Sequence, residues 1–266
     1  MLVSTGAVLT SDPVPTATNG VVLPTEPRYM TAPLPQAAAP VPGRLSIPAY
    51  LQKVYWWAYV HPIAVRVFER RWLVDAILLG NYRRLCDACL AQLGESVRGA
   101  TLQMACVYGD LTARLLQRMG LDASLDVVDV LPIQLDNLAR KLPTDHRVTL
   151  RQSDACCLDH ASASYDQVLL FFLLHEQPDR VRRATLAEAM RVVKPGGKVV
   201  IADYHRPVKW HPAGPLLRLV FRWLEPYAID LWANEIETFL PRDLVPRSVS
   251  KSRHFGGLYQ TLVITR

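Results

Sequence analysis

From Thr101 onward, short apolar runs alternate with amphipathic stretches, and this alternation restricts the fold more than any other feature of the 266-residue chain. "TLQMACVYG" is an apolar run closed by Gly109, and "TARLLQRMG" after it has helical spacing. "LDVVDV" carries Asp129 near its end, and Pro132 opens the helical "PIQLDNLARKL". "VTLRQSD" and "YDQVLLFFLL" are a third and a fourth run, the fourth apolar enough to be covered on both faces. "RVRRATLAEAMRVVK" is a helix closed by Pro195-Gly196-Gly197, and "KVVIADY" is a fifth strand. Strands separated by helices of about 10 to 15 residues pair in parallel, because each return crosses over the sheet. The expectation is an α/β fold with helices on both faces of the sheet. The final "SVSKSRHFGGLYQTLVIT" reads as two antiparallel strands around Gly256-Gly257.

In an open α/β sheet the ligand sits beyond the carboxyl ends of the strands, so those ends are read together. They are Tyr108-Gly109-Asp110, Asp129, Ser153-Asp154, His175-Glu176 and Asp203-Tyr204-His205. This row is polar and ionisable although the strands are nearly all apolar. A carboxylate at the end of the second strand accepts two hydrogen bonds from a ribose diol, and Asp129 fits that role. Asp154, followed by Ala155, sits where a side chain meets an adenine amino group. Taken singly, each aspartate also fits a helix N-cap. Together with the glycine turn and the fifth strand they favour a nucleotide-type cofactor.

Outside this region the chain divides into two further parts. Residues 1–44 hold eight prolines and only four charges, Asp12, Glu26, Arg28 and Arg44, a composition that points to disorder. Residues 45–98 have helical spacing with interleaved arginines, a start at Pro48 and a break at Pro62, and precede a domain over 99–266. Trp56, Trp57 and Tyr59 in this part read as plain packing. The five scattered cysteines and the lack of a basic segment followed by an apolar one point to reduced thiols and no secretory signal. Cys86 and Cys89 have CxxC spacing but lie in a helical pattern without a second pair, so they read as small buried residues. The net charge of +6 suits an anionic surface or ligand, and no nucleic-acid-binding signature is present.

Four stretches carry a resemblance: "VVDVLPIQLDNLARKL", "RQSDACCL", "YDQVLLFFLLHEQPD" and "EAMRVVKPGGKVVIADYH". They look like successive motifs of class I S-adenosylmethionine-dependent methyltransferases, in the branch acting on quinones and lipids. The resemblance covers roughly residues 100–266 and implies a Rossmann-like sheet of seven strands with one antiparallel strand. It also implies cofactor contacts at Tyr108, Gly109, Asp129, Val130, Asp154 and Ala155. The departure is the first loop, which in this family reads acidic-x-Gly-x-Gly-x-Gly. With Ala105 at the acidic position, Val107 and Leu111 replace the outer glycines, and only Gly109 remains.

This altered loop, with "YLQKVYWWAYVHPIAVRVFERRWLV" and "GNYRRL", is similar to the rhodoquinone biosynthesis family RquA. That resemblance implies conversion of ubiquinone to rhodoquinone, in which a ring methoxy group gives way to an amino group. S-adenosylmethionine is implied as amino donor, with Mn²⁺ required. Asp110, His175 and Tyr50 are then the candidate catalytic residues, and Asp110, His175 and His205 the candidate manganese ligands. Glu176 and Asp203 are further oxygen donors of the type Mn²⁺ prefers. Asp110 ranks first because it sits in the altered loop.

A tailed quinone is membrane-borne. The Arg-flanked apolar helix near Leu216–Leu224 and the aromatic, basic stretch near Trp56–Trp72 suit an anionic membrane surface. The expected location is cytoplasmic, peripheral at the inner face of the cytoplasmic membrane. Two other readings stand beside amination: ordinary methyl transfer to a quinone or lipid, and a non-catalytic scaffold of a quinone-biosynthesis complex.

Overall fold

A computed structural model describes residues 45–266, and the expectation of disorder for residues 1–44 lies outside them. Among the described residues the helical side of the fold is made of short segments. They begin with α1 (Ala49–Lys53), a π-helical turn at Trp56–Val60, α2 (Pro62–Phe68), α3 (Arg71–Ile77) and α4 (Tyr82–Leu93). The stretch with helical spacing breaks at Pro62, as expected, and also around residues 54–55, 69–70 and 78–81. Pro62 is one cause: it starts α2 with His61 as N-cap, the His61 ring accepting from the Ile63 N–H. The CxxC cysteines are both buried in α4, where they pack as apolar residues.

The sheet follows: β1 (Ala100–Met104), α5 (Leu111–Arg118), β2 (Ser124–Asp129), α6 (Pro132–Lys141), β3 (Val148–Gln152) and β4 (Tyr165–Phe171). Next come α7 (Asp179–Val192), β5 (Val193–Tyr204), α8 (Gly214–Trp223), α9 (Ile229–Ala233), β6 (Ser248–His254) and β7 (Tyr259–Thr265). The seven strands lie in the order β3-β2-β1-β4-β5-β7-β6. β7 runs antiparallel to both β5 and β6, and the other neighbours pair in parallel. The expected seven-stranded α/β sheet with a C-terminal hairpin is what forms. One core layer packs Leu85, Leu90, Leu115, Val127 and Phe221 on one face of the sheet. The other packs Leu102, Leu170, Leu186, Met190 and Leu262. Both faces are covered, which explains the unbroken apolar runs of the central strands.

The strand order reverses direction between β1 and β4, so the crevice for a ligand opens beyond their carboxyl ends. Three boundaries differ from the sequence reading, the first being β1, which ends at Met104 and not at Tyr108-Gly109-Asp110. β4 ends at Phe171, and His175–Glu176 belong to a 3₁₀ turn (Leu174–Glu176) rather than to the strand end. Pro195-Gly196-Gly197 lies inside β5, not between helix and strand, at an irregularity where Tyr165 pairs with Val193 and Gln167 with Lys198. A side chain at Gly197 would come within 2.7 Å of the Asp166 carbonyl, so the bulge needs glycine there.

Candidate functional site

A cavity of about 500 Å³ lies over the strand ends. Its wall includes Asp129, Val130, Ser153, Asp154 and Ala155 from the ends of β2 and β3, and Ala105 to Tyr108 from the first loop. His175, Glu176 and Glu225 line another part, and α1 with the π-helical turn supplies Tyr50, Tyr55 and Tyr59. Leu51, Tyr55 and Leu131 form a small buried cluster that seats this N-terminal cover on the β2–α6 connection.

The first loop is held by side chains. Ala105 has φ +76° and Gly109 φ +86°, left-handed values that favour glycine at both positions. Leu111 is the first residue of α5 and is buried. The structure therefore moves the motif frame by two residues: Gln103 takes the acidic position, and Ala105, Val107 and Gly109 take the three glycine positions. Gln103 is buried and braces the loop, its amide donating to the Ala105 carbonyl at 3.0 Å while its oxygen accepts from the Thr112 hydroxyl at 3.0 Å. The surviving glycine is required sterically, since a Cβ at Gly109 would sit 2.4 Å from the Tyr82 hydroxyl oxygen. That hydroxyl accepts from the N–H groups of Asp110 (2.7 Å) and Leu111 (3.1 Å), two of the otherwise unpaired donors of a helix start. On the other side of the loop, Lys141 donates to the carbonyls of Val107 (3.1 Å) and Gly109 (3.0 Å) and to Glu69 (2.9 Å). Glu69 in turn accepts from the Gly109 N–H at 3.1 Å and from Asn137 at 2.6 Å. Tyr108 is stacked between Tyr59 (ring centroids 5.7 Å apart) and Phe68 (6.0 Å), and its hydroxyl donates to the Ala58 carbonyl.

Asp129 is buried, and its two carboxylate oxygens accept from the Leu131 and Cys106 N–H groups, each at 2.8 Å. Burial pushes its carboxyl up to about 6 against the pull of these donors. Asp154 accepts from the Cys156 N–H at 3.0 Å. Tyr50 lies between these acids and Glu176: burial raises its phenol, and the negative fields of Asp154, Glu176 and Asp129 raise it further.

Around His175 sit three carboxylates. Its Nδ1 is 3.0 Å from Asp203, and its Nε2 is 3.0 Å from Glu225 and 3.7 Å from Glu176. Burial alone lowers the His175 pKa, but Asp203 and Glu225 outweigh it and hold the imidazole well above its ordinary value. Asp203 is fixed by the N–H groups of Leu174 (2.9 Å) and Tyr204 (2.8 Å). Burial pushes Glu176 up to about 8, opposed by His175 and by the Tyr59 hydroxyl, which donates to it. Each His175 nitrogen thus faces a protein carboxylate at ion-pair distance, Nδ1 and the Glu225 Oε2 without closing a hydrogen bond, and Glu176 and Glu225 line the cavity beside it. His175 reads as the group that positions them.

Several expectations are corrected here. Asp110 is not among the cavity-lining residues; it stands at the N-cap of α5, 3.7 Å from Arg71. His205 also lies outside the cavity wall, with Nδ1 2.9 Å from the Gly257 carbonyl and Nε2 3.4 Å from Glu235. Asp110, His175 and His205 are therefore not brought together, and among the described residues no group of three or more His, Cys, Asp or Glu is arranged to hold a metal ion. Of the donors considered for Mn²⁺, His175, Glu176 and Asp203 lie together, whereas Asp110 and His205 stand apart from them. Tyr59 is not plain packing, since it reaches Glu176, and Trp56 is half exposed. The sequence reading missed Glu225, Glu69, Lys141 and Tyr82. Glu225, between the apolar helix and Pro226 in "RWLEP", carried the one available signal: an acid where a helix stops.

A family profile described as a methyltransferase domain matches residues 101–197. The chain is 29% identical to the demethylmenaquinone methyltransferase of Lactiplantibacillus plantarum, over 60% of this chain and 66% of that one. It is 25% identical to the 2-phytyl-1,4-naphtoquinone methyltransferase of Nostoc sp., over 51% of this chain and 59% of that one. The chain thus spans just under two thirds of the length of the first curated relative, and less of the second. Among solved structures, the N-methyltransferase NodS from Bradyrhizobium japonicum in complex with S-adenosyl-L-homocysteine aligns with TM-score 0.53 and 14% identity, covering 76% of this chain and 96% of that one. The chain has the class I S-adenosylmethionine-dependent methyltransferase fold, and residues 101–197 are similar to a methyltransferase domain.

Proposed function

We propose that the chain is a transferase that uses S-adenosylmethionine to modify the ring of a membrane-borne quinone, and that its reaction is the amination of ubiquinone to rhodoquinone. The observation that carries this reading is the cavity: cofactor-type acids at the ends of β2 and β3 share one enclosed space with a loop rebuilt by side chains. The residues fit the cofactor. Asp129 lines the cavity, where a carboxylate can accept from a ribose diol, and Val130, Asp154 and Ala155 line the same wall, which suits an adenine. The Tyr55 hydroxyl is buried beside the cavity with no hydrogen-bond partner among the described residues, as expected where a polar ligand belongs. Tyr50 covers the same end. When bound, the cofactor supplies the group transferred, its α-amino nitrogen in amination or its sulfonium methyl in methylation.

The rest is the work of this chain. In amination the amino nitrogen bonds the ring carbon, the methoxy group leaves with an N–H proton as methanol, and the cofactor's N–Cα bond then breaks with loss of a Cβ proton; in methylation the acceptor is a reduced ring that gives up an O–H or C–H proton. Glu176, whose burial places its titration near neutral pH, is suited to take such a proton. His175 holds Glu225 in place, and the Tyr59 hydroxyl aims the Glu176 carboxylate. Ala105 and Val107, which line the cavity, carry side chains where the motif has glycines, and this supports a changed presentation of the cofactor's methionine portion. No step here runs through manganese, because Asp110 and His205 stand apart from His175.

A second reading, methyl transfer to a quinone, is favoured by the names of the relatives above. The mass of the product formed from ubiquinone and S-adenosylmethionine separates the two: replacement of methoxy by amino against gain of a methyl group. A scaffold role is tested by titrating the cofactor, which a scaffold with a dead loop does not bind. For the membrane, no helix among the described residues is long and apolar enough to cross a bilayer. Exposed Trp56, Trp72, Leu219 and Trp223 among arginines support peripheral association with the anionic inner face of the cytoplasmic membrane. Sedimentation with anionic liposomes at low salt tests it, and a fully soluble protein contradicts it.

A further inference from the structure

Resting on the quinone reading above, we infer that the opening flanked by α3 and α8 is the path by which the substrate's isoprenoid tail leaves the cavity. The cavity wall is divided. Its floor at the strand ends is polar and acidic, whereas α3 contributes Leu73, Val74 and Ile77, and α8 with the residue after it contributes Leu216, Val220 and Leu224. Three of these are exposed while they line the cavity: Ile77 at 41%, Leu216 at 55% and Leu224 at 44%. A side chain that is at once in the wall and in solvent marks a mouth. On the same two helices Trp72, Leu219 and Trp223 are exposed, so apolar side chains occur both in the cavity wall and on the outer surface beside it.

The occupant follows from shape and size. About 500 Å³ takes a nucleoside cofactor and one ring, and lies within the ~300–1,000 Å³ usual for small-molecule sites. A long tail has no room inside and leaves where the rim is apolar. A protein partner covers a surface, whereas these side chains converge inward on a cavity. Arg218 and Arg222 of α8 are exposed and do not line it, so no charge blocks the exit.

The test compares a long-tailed ubiquinone with the tail-less ring compound in detergent solution, for the wild-type chain and the double variant Ile77→Asp/Leu216→Asp. Both positions are exposed, so folding is kept. Charging the rim is expected to lower the long-to-tail-less ratio of kcat/KM by about tenfold or more. Leu121→Asp, at an exposed apolar residue away from the cavity, leaves the ratio unchanged. An unchanged ratio in the double variant overturns the proposal, including the case in which the variant loses only liposome binding. Displacement of an apolar dye by geranylgeraniol gives a readout independent of turnover: the wild type releases the dye and the double variant does not. If neither quinone is turned over but geranylgeraniol still discriminates the two proteins, the quinone reaction fails and the tail path stands. Equal displacement from both proteins overturns the tail path.

Discussion

The loops after β1 and β2 are neighbours and are built in opposite ways. After β2 the backbone serves a side chain: the Leu131 and Cys106 N–H groups converge on the Asp129 carboxylate. After β1 the side chains serve the backbone: Tyr82, Glu69, Lys141 and Gln103 hold a loop that has one glycine left. The difference teaches that a cofactor loop can keep a left-handed path without its glycines, provided that neighbouring helices supply the bracing. That bracing comes from α2, α4 and α6, so the shape of the loop depends on the N-terminal helices.

The largest expected effect is on the β2 side. Asp129→Ala removes an acceptor of two buried N–H groups, each of which costs ~1–3 kcal/mol when left unpaired. Denaturant unfolding should show a loss of a few kcal/mol, and calorimetric titration should show S-adenosylmethionine binding weakened by tenfold or more, on the order of one charge-assisted hydrogen bond. Retained affinity would separate Asp129 from the cofactor.

Gly109→Ala comes next. Its left-handed φ costs an L-residue ~1–2 kcal/mol, and the Cβ meets the Tyr82 hydroxyl. Shortening the clash with Tyr82→Phe gives no full rescue, because it orphans the Asp110 and Leu111 N–H groups at ~1–3 kcal/mol. A double variant as stable as wild type would show that the bracing of this loop does not matter.

Most of the fold was legible before any coordinates, because parallel strands covered on both faces write themselves as apolar runs. Asp129 and Asp154 were legible for the same reason: polar residues at the ends of such runs stand out. The loop frame was not legible, since "MACVYGD" contains one glycine and the positive φ at Ala105 leaves no mark in residue type. The carboxylate cluster was legible only in part: His175-Glu176 and Asp203 read as strand ends, but Glu225 follows α8 and only the fold brings it to His175. Tyr59 sits among aromatic residues, where packing hides a hydroxyl with a partner.

A third expected outcome concerns pH. The Glu176 carboxyl is raised from its ordinary range to about 8, so the folded state holds a proton there that the unfolded chain has lost. Stability from this group is full below about pH 4.5 and falls as pH rises toward 8. Glu176→Gln should flatten the Tm profile over that window and abolish turnover. In the wild type kcat/KM should climb through about pH 8, and Tyr59→Phe, which removes a donor that lowers this pKa, should move the midpoint upward. A midpoint unmoved in Tyr59→Phe contradicts the link between them.

The smallest effect is expected at Asp110. Asp110→Asn touches an exposed contact 3.7 Å from Arg71, outside the cavity wall. Stability should change by no more than ~0.5 kcal/mol, and turnover by about twofold or less. A large loss of activity would return Asp110 to the chemistry and overturn its placement here.

The most direct measurement uses S-adenosylmethionine labelled with ¹⁵N at the amino group and ¹³C at the sulfonium methyl, incubated with ubiquinone and the full chain. The account predicts a product that has lost one methoxy group and gained ¹⁵N. A product that gains ¹³C, or one that carries neither label, contradicts it.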